Sequence, residues 1–134
     1  MSTVLLLEDL DSDANALESA LRGLGEFKLQ RFRAASLAVE SLSDALGRGD
    51  ELPVLVIVDL NLPDSSGYEL LRFYHSTPKL QGVPIAVWSV LDSPADQKLT
   101  KWMGSRKLIS KNSGPAALRK SLASLLKTKP APKR

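Results

Sequence analysis

At 134 residues, 43% hydrophobic and 25% charged, the chain has the composition of one soluble globular domain long enough to bury a sizeable core. The absence of cysteine excludes disulfides, thiolate zinc sites and thiol nucleophiles, and a lone histidine, His75, argues against a histidine-rich transition-metal site. The formal charge of +3 resides at the end of the chain, where Lys127, Lys129, Lys133 and Arg134 carry four positive charges; the remainder is at −1, so no nucleic-acid groove is implied. No apolar run reaches spanning length and no basic region precedes a hydrophobic segment at the N-terminus, so the cytoplasm is the expected location.

In chain order, Thr3–Leu7 is a short apolar run that reads as a strand ending in Glu8 and Asp9. Asp11 and Ser12 are placed to cap a helix carrying Ala14, Leu17, Leu21 and Leu24 at helical spacing, with Gly23 and Gly25 near its end. Phe27–Phe32 alternates as a short edge strand, with Phe27, Leu29 and Arg31 on one side. Leu37, Val39, Leu42, Ala45 and Leu46 suggest a second helix closed by Gly47 or Gly49. Val54–Val58 is an unbroken apolar run between prolines, the signature of a strand buried on both faces. Pro63–Gly67 reads as a loop, Tyr68–Ser76 as a helix, and Val83–Ser89 as another buried strand. Ser93, Pro94 and Asp96 have a helix-start pattern, with Gly104 at the far end. Lys107–Ser110 is a brief strand, and a last helix from Pro115 carries Leu118, Leu122, Leu125 and Leu126. Five strand–helix alternations imply a doubly wound parallel sheet with helices on both faces. One domain over 1–126 and a basic, proline-containing flexible tail over 127–134 are expected.

Chemistry-bearing residues fall at the carboxyl ends of these strands: Glu8 with Asp9, then Asp59, Ser89 and Lys111. Ligands of open α/β sheets bind at those ends. Taken alone, Asp59 reads equally as a functional carboxylate or as a cap on the following loop. Three carboxylates in one crevice repel each other and call for a cation, and a hard ion such as Mg²⁺ with oxygen ligands suits them. A lysine and a hydroxyl beside them would complete a cradle for a phosphoryl group, which points to phosphoryl transfer onto Asp59. The bland readings are a solvated loop for Glu8 and Asp9, and a surface charge for Lys111; the coincidence of all five at strand ends favours the functional one. His75 reads as an exposed helix-end residue, and Trp88 as core or rim packing.

The motifs LLLED, VIVDLNLPDSSGYELL, VPIAVWS and LISK, in that order and spacing, make the chain resemble the receiver domain of response regulators, a chemotaxis-regulator-like family, from about Thr3 to Leu126. The resemblance implies a flavodoxin-like fold of strand order 2-1-3-4-5. It also implies Asp59 as phosphoacceptor, Asp9 as a direct Mg²⁺ ligand, Glu8 acting mainly through water, and the Asn61 backbone carbonyl as a further ligand. Ser89 would hydrogen-bond the phosphoryl group and Lys111 would pair with it.

Three positions depart from the family pattern. Asn112 stands where proline usually follows the lysine, Leu108 where an aromatic switch residue is usual, and Val90 where a smaller residue flanks the hydroxyl. A lysine without a following proline also occurs in single-domain regulators that serve phytochrome-type histidine kinases. The expected function is a stand-alone regulator phosphorylated by a histidine kinase or phosphotransfer protein. It would catalyse only its own phosphorylation and dephosphorylation, and would signal by protein contact. A homodimer or output face is expected on the helix after Ser93, the strand Lys107–Ser110 and the last helix, where Trp102 and Met103 add apolar area. The alternative is a pseudo-receiver, a phosphorylation-independent binding module. A phosphohydrolase with an aspartate nucleophile is opposed by Asn61, where such enzymes carry a second aspartate, and a flavodoxin-like redox role by the acidic LEDLDSD loop.

Overall fold

The apolar runs become strands because β-branched and leucine side chains fill both faces of a pleated sheet that helices cover on each side. The strands are β1 (Ser2–Leu7), β2 (Phe27–Phe32), β3 (Leu55–Val58), β4 (Ile85–Ser89) and β5 (Lys107–Ser110), and the helices α1 (Asp11–Arg22), α2 (Ala35–Arg48), α3 (Tyr68–Ser76) and α4 (Gly114–Lys127). This computed structural model describes residues 2–60, 62, 67–90, 98 and 107–127. Apart from Lys98, the helix expected between Ser93 and Gly104, with Trp102 and Met103, lies outside the described residues, as do Asn61, residues 63–66 of the expected loop and the tail beyond Lys127.

All strands are parallel, in the order β2-β1-β3-β4-β5 expected from the resemblance. Successive side chains of a strand point to opposite faces. On one face Leu5, Leu7, Val56, Val58, Ile85 and Val87 pack against Ala35, Ala38 and Leu42 of α2 and Leu70, Leu71 and Tyr74 of α3. On the other, Val4, Leu6, Leu55, Ile57, Ala86, Trp88 and Ile109 pack against Leu17 and Leu21 of α1 and Leu118, Leu122 and Leu125 of α4. The edge strand β2 splits the same way, Phe27 and Leu29 joining the α1–α4 layer and Phe32 the other. No helix of the described residues is long and apolar enough to cross a membrane.

Several local expectations are corrected. Neither Asp11 nor Ser12 caps α1: the N-cap is Leu10, with no side-chain cap bond. Asp11 is the first helical residue, one position past the N-cap, and its Oδ1 accepts instead from Arg31 at 2.8 Å and Arg33 at 2.7 Å. Leu37 is half-exposed, not a buried residue of α2. A helix advances about 100° per residue, so once Ala38 faces the sheet its neighbour points away. The small side chains of Ala35 and Ala38 are what let α2 lie close to the strands. Of the two glycines expected to close α2, Gly49 does so, in the left-handed conformation at φ 73°. β3 starts at Leu55, one residue later than the apolar run, and α4 starts at Gly114 rather than Pro115.

The Tyr74 hydroxyl donates to the Val83 carbonyl at 2.7 Å inside the core, tying α3 to the lead into β4. Tyr74→Phe removes that donor and is expected to cost about 1–1.5 kcal/mol in urea unfolding. Unchanged stability would show that the bond contributes nothing net.

Candidate functional site

The carboxyl end of the sheet gathers the acidic residues because β1 and β3 are neighbours in register, Leu7 beside Val58. Each strand then runs directly into an acid. The ladder continues one residue further, the Asp59 N–H donating to the Leu7 carbonyl at 3.0 Å and the Glu8 N–H to the Phe32 carbonyl at 2.9 Å. The backbone that carries both carboxylates is therefore hydrogen-bonded to the neighbouring strands just past the end of each strand. Glu8 and Asp59 are buried, and Asp9 half-buried.

The loop between β1 and α1 is tied down by β2 and the residue just beyond it. Arg31 Nε donates to the Glu8 carbonyl at 3.0 Å and Arg33 Nη1 to the Asp9 carbonyl at 3.1 Å, while both guanidinium groups meet Asp11. Those bonds, Arg31 first, hold the Asp11 carboxyl below the usual carboxylate range.

One oxygen of each of Glu8, Asp9 and Asp59 lies within 4.8 Å of the others. Three hard carboxylate donors, two of them buried, fit a divalent cation of the Mg²⁺ or Mn²⁺ kind. Burial pushes the Glu8 carboxyl up to about 7 and the nearby Asp59 charge adds to this, while the hydrogen bonds from Lys111 and from the Leu10 N–H work against it.

The two oxygens of Asp59 face different groups. Ser89 Oγ, fully buried at the end of β4, donates to Oδ1 at 3.2 Å, and Lys111 Nζ donates to Oδ2 at 3.2 Å. Lys111 follows β5 directly, in a one-turn 3-10 segment spanning Lys111–Ser113. Its ammonium also donates to Glu8 Oε1 and to Asp13 Oδ2, each at 2.7 Å, and lies 5.1 Å from the centre of the Trp88 ring. Burial by itself would lower the lysine pKa, but the Asp13 and Glu8 hydrogen bonds and the Asp59 charge outweigh it and hold the ammonium protonated, above its ordinary range. With its side chain 12% exposed, Lys111 is not the surface charge of the bland reading.

Five residues singled out in the sequence, Glu8, Asp9, Asp59, Ser89 and Lys111, thus meet at one end of the sheet. Asn61 lies outside the described residues. The departures take physical form too. In place of a proline turn, the Asn112 N–H donates to Ser110 Oγ at 3.1 Å and the Ser113 hydroxyl to the Ser110 carbonyl at 2.7 Å. Leu108 packs against the α2–α3 layer, and Val90 is 40% exposed. Sequence reading missed Asp13, Arg31 and Arg33 as parts of the site. For Asp13 the available signal was its place in the first turn of α1, five residues after Glu8, on the helix that starts where β1 ends.

No family model matches the chain. Among curated proteins, "Probable methanogenesis regulatory protein FilR2" of Methanothrix harundinacea (strain 6Ac) is 30% identical over 94 residues, 69% of this chain and 61% of that protein. The match therefore spans less than two thirds of the relative's length. Among solved structures, the Mn(2+)-bound form of response regulator Rcp1 superposes at a TM-score of 0.78 with 22% identity, covering 99% of this chain and 100% of that one. The signal receiver domain of a signal transduction histidine kinase from Syntrophus aciditrophicus superposes at 0.75 with 26% identity, covering 100% and 98%. Strand order and these full-length superpositions give the chain the fold of a response-regulator receiver domain, with the acidic cluster at the sheet's carboxyl end.

Proposed function

We propose that this receiver accepts a phosphoryl group on Asp59 from a histidine kinase or phosphotransfer protein and signals, as a stand-alone cytoplasmic regulator, by protein contact. The observation that carries the reading is the Asp59 carboxylate itself: buried, with a hydroxyl on one oxygen and an ammonium on the other, beside two further acids.

In the transfer, an Asp59 oxygen attacks phosphorus. An O–P bond forms as the N–P bond to the donor histidine breaks, and the leaving nitrogen keeps the bonding pair and takes up a proton. Ser89 and Lys111 lie beside Asp59 and would turn to the phosphoryl oxygens, stabilising charge as it develops. A Mg²⁺ ion held by Glu8, Asp9, Asp59 and the Asn61 carbonyl would supply further charge neutralisation. Hydrolysis by water would return the carboxylate and release phosphate. Asn112 after Lys111 supports partners of the phytochrome-type histidine kinase class, and the face of β5, α4 and the segment before β5 is the proposed output or dimer surface.

Mass spectrometry after incubation with Mg²⁺ and a small acyl-phosphate donor tests the reading. Wild type is expected to gain one phosphoryl group and Asp59→Ala none. Equal incorporation by Asp59→Ala, or full incorporation in excess chelator, would overturn the assignment and favour a phosphorylation-independent binding module.

A further inference from the structure

The proposed chemistry gives Lys111 a destination at the phosphoryl group and leaves Asp13 without a role. Yet Asp13 Oδ2 is as close to the lysine ammonium as Glu8 is, at 2.7 Å. The two carboxylates differ in position. Glu8 belongs to the trio that fits a divalent cation, whereas Asp13 stands outside it, on the first turn of α1, with its side chain 29% exposed. Beside Asp13 and Lys111 is a cavity of about 300 Å³, lined also by Trp88, Gly114 and Pro115, with Arg119 of α4 at its wall.

This arrangement sets up a competition. A divalent cation among Glu8, Asp9 and Asp59 would bind two carboxylates whose other contact is the Lys111 ammonium, and two cations that close repel each other. The ammonium then has to withdraw. The cavity supplies room and the Trp88 ring a favourable face, but Arg119 adds positive charge on that side. Asp13 is the anion that makes the withdrawn position favourable.

We propose that Asp13 is a positioning residue: it retains Lys111 when a divalent cation displaces the ammonium from Glu8 and Asp59, and so keeps the lysine at the edge of the site, ready for a phosphoryl group. The inference rests on the reading of Glu8, Asp9 and Asp59 as a metal site. Without Asp13 the lysine has only the metal's own ligands as anionic partners, so it competes harder with the metal and is loosely held once the metal has entered.

Calorimetric titration with Mg²⁺ of wild type, Asp13→Asn, Asp13→Glu, Lys111→Met and the double variant Asp13→Asn/Lys111→Met measures the competition. Acylation of Lys111 by an amine reagent, followed by mass spectrometry with and without Mg²⁺, reports the lysine directly. Asp13→Asn is expected to weaken Mg²⁺ binding about three- to fivefold, the upper part of the range of a partly exposed ion pair. The loss should fall below about twofold when Lys111 is methionine, because two residues acting through one contact are not additive. In saturating Mg²⁺, Lys111 should acylate several times faster in Asp13→Asn than in wild type, with Asp13→Glu restoring protection. An equal loss of Mg²⁺ affinity with and without Lys111 would mean that Asp13 acts only through the general field, and overturns the proposal. So does an unchanged acylation rate, which also decides the matter if Lys111→Met does not fold. Wild type that takes up no Mg²⁺ overturns the metal reading itself, a result visible before any variant is made.

Discussion

Replacing Gly67 with alanine is expected to destabilise the protein by about 3 kcal/mol or more and to displace Asp59. The cause is a close approach and not backbone conformation, since Gly67 sits at φ −57° and ψ −16°, where any residue is comfortable. A Cβ there would lie 2.2 Å from the Asp59 carbonyl oxygen, 2.8 Å from Val58 Cγ1 and 3.0 Å from the Asp59 carbonyl carbon. Two of those atoms are backbone, so a side-chain rotation cannot relieve the clash, and the Asp59 N–H is itself bonded to the Leu7 carbonyl. Either the start of α3 lifts, pulling on buried Leu70 and Leu71, or the end of β3 shifts and moves Asp59 away from Ser89 and Lys111. Urea unfolding should show the loss of stability, and the rate of phosphoryl incorporation from a small donor should fall with it. Stability within about 1 kcal/mol of wild type would mean that α3 does not press on β3 in this way.

The second large effect concerns pH in the absence of metal. Relative to Glu8→Gln, wild type in chelator is expected to lose stability as pH rises from about 4.5 to about 7. The Glu8 carboxyl is raised from 4.5 to about 7 by burial, so the folded state binds its proton more tightly than the unfolded chain does. A raised pKa contributes stability that is fully present below the unfolded value and is lost as pH climbs through the folded one. The shift corresponds to a contribution on the order of 3 kcal/mol. Asp11, whose carboxyl is lowered, works in the opposite sense at lower pH, and the Glu8→Gln reference removes it by subtraction. The same linkage makes metal binding pH-dependent: a cation requires the carboxylate form, so Mg²⁺ affinity should rise through pH 7 with proton release. Unfolding curves from pH 5 to pH 8 measure the first effect, and a constant wild-type-minus-variant difference across that range would remove Glu8 as its source.

The strands and their order of appearance were legible because the signal is local. Val54–Val58 and Val83–Ser89 state their burial in their own side chains, and an acid, hydroxyl or lysine at the end of such a run is placed by the geometry of parallel sheets. His75 was rightly read as an exposed helix end, and Phe27–Phe32 as an edge strand. Periodicity also located α2, but not which of its leucines faces solvent, because the register of the buried face depends on how closely the helix settles on the sheet.

What only the tertiary structure decided is which distant group arrives beside each residue. Lys111 meets Glu8, Asp13 and Asp59 across 103, 98 and 52 positions of sequence, and the pattern around any one of them carries no trace of the others. The start of α1 was decided there too: Asp11 is a good cap by type, but it stands one position inside the helix and its carboxylate pairs with Arg31 and Arg33 of β2 and its margin. Gly67 looked like an ordinary loop glycine, and its need for hydrogen in place of a methyl comes from the Asp59 carbonyl eight residues back, brought against it only when α3 docks on β3. Sequence pattern determines the burial and type of each element because these follow from a residue and its near neighbours; pairings and close approaches follow from packing, which joins segments that sequence keeps apart.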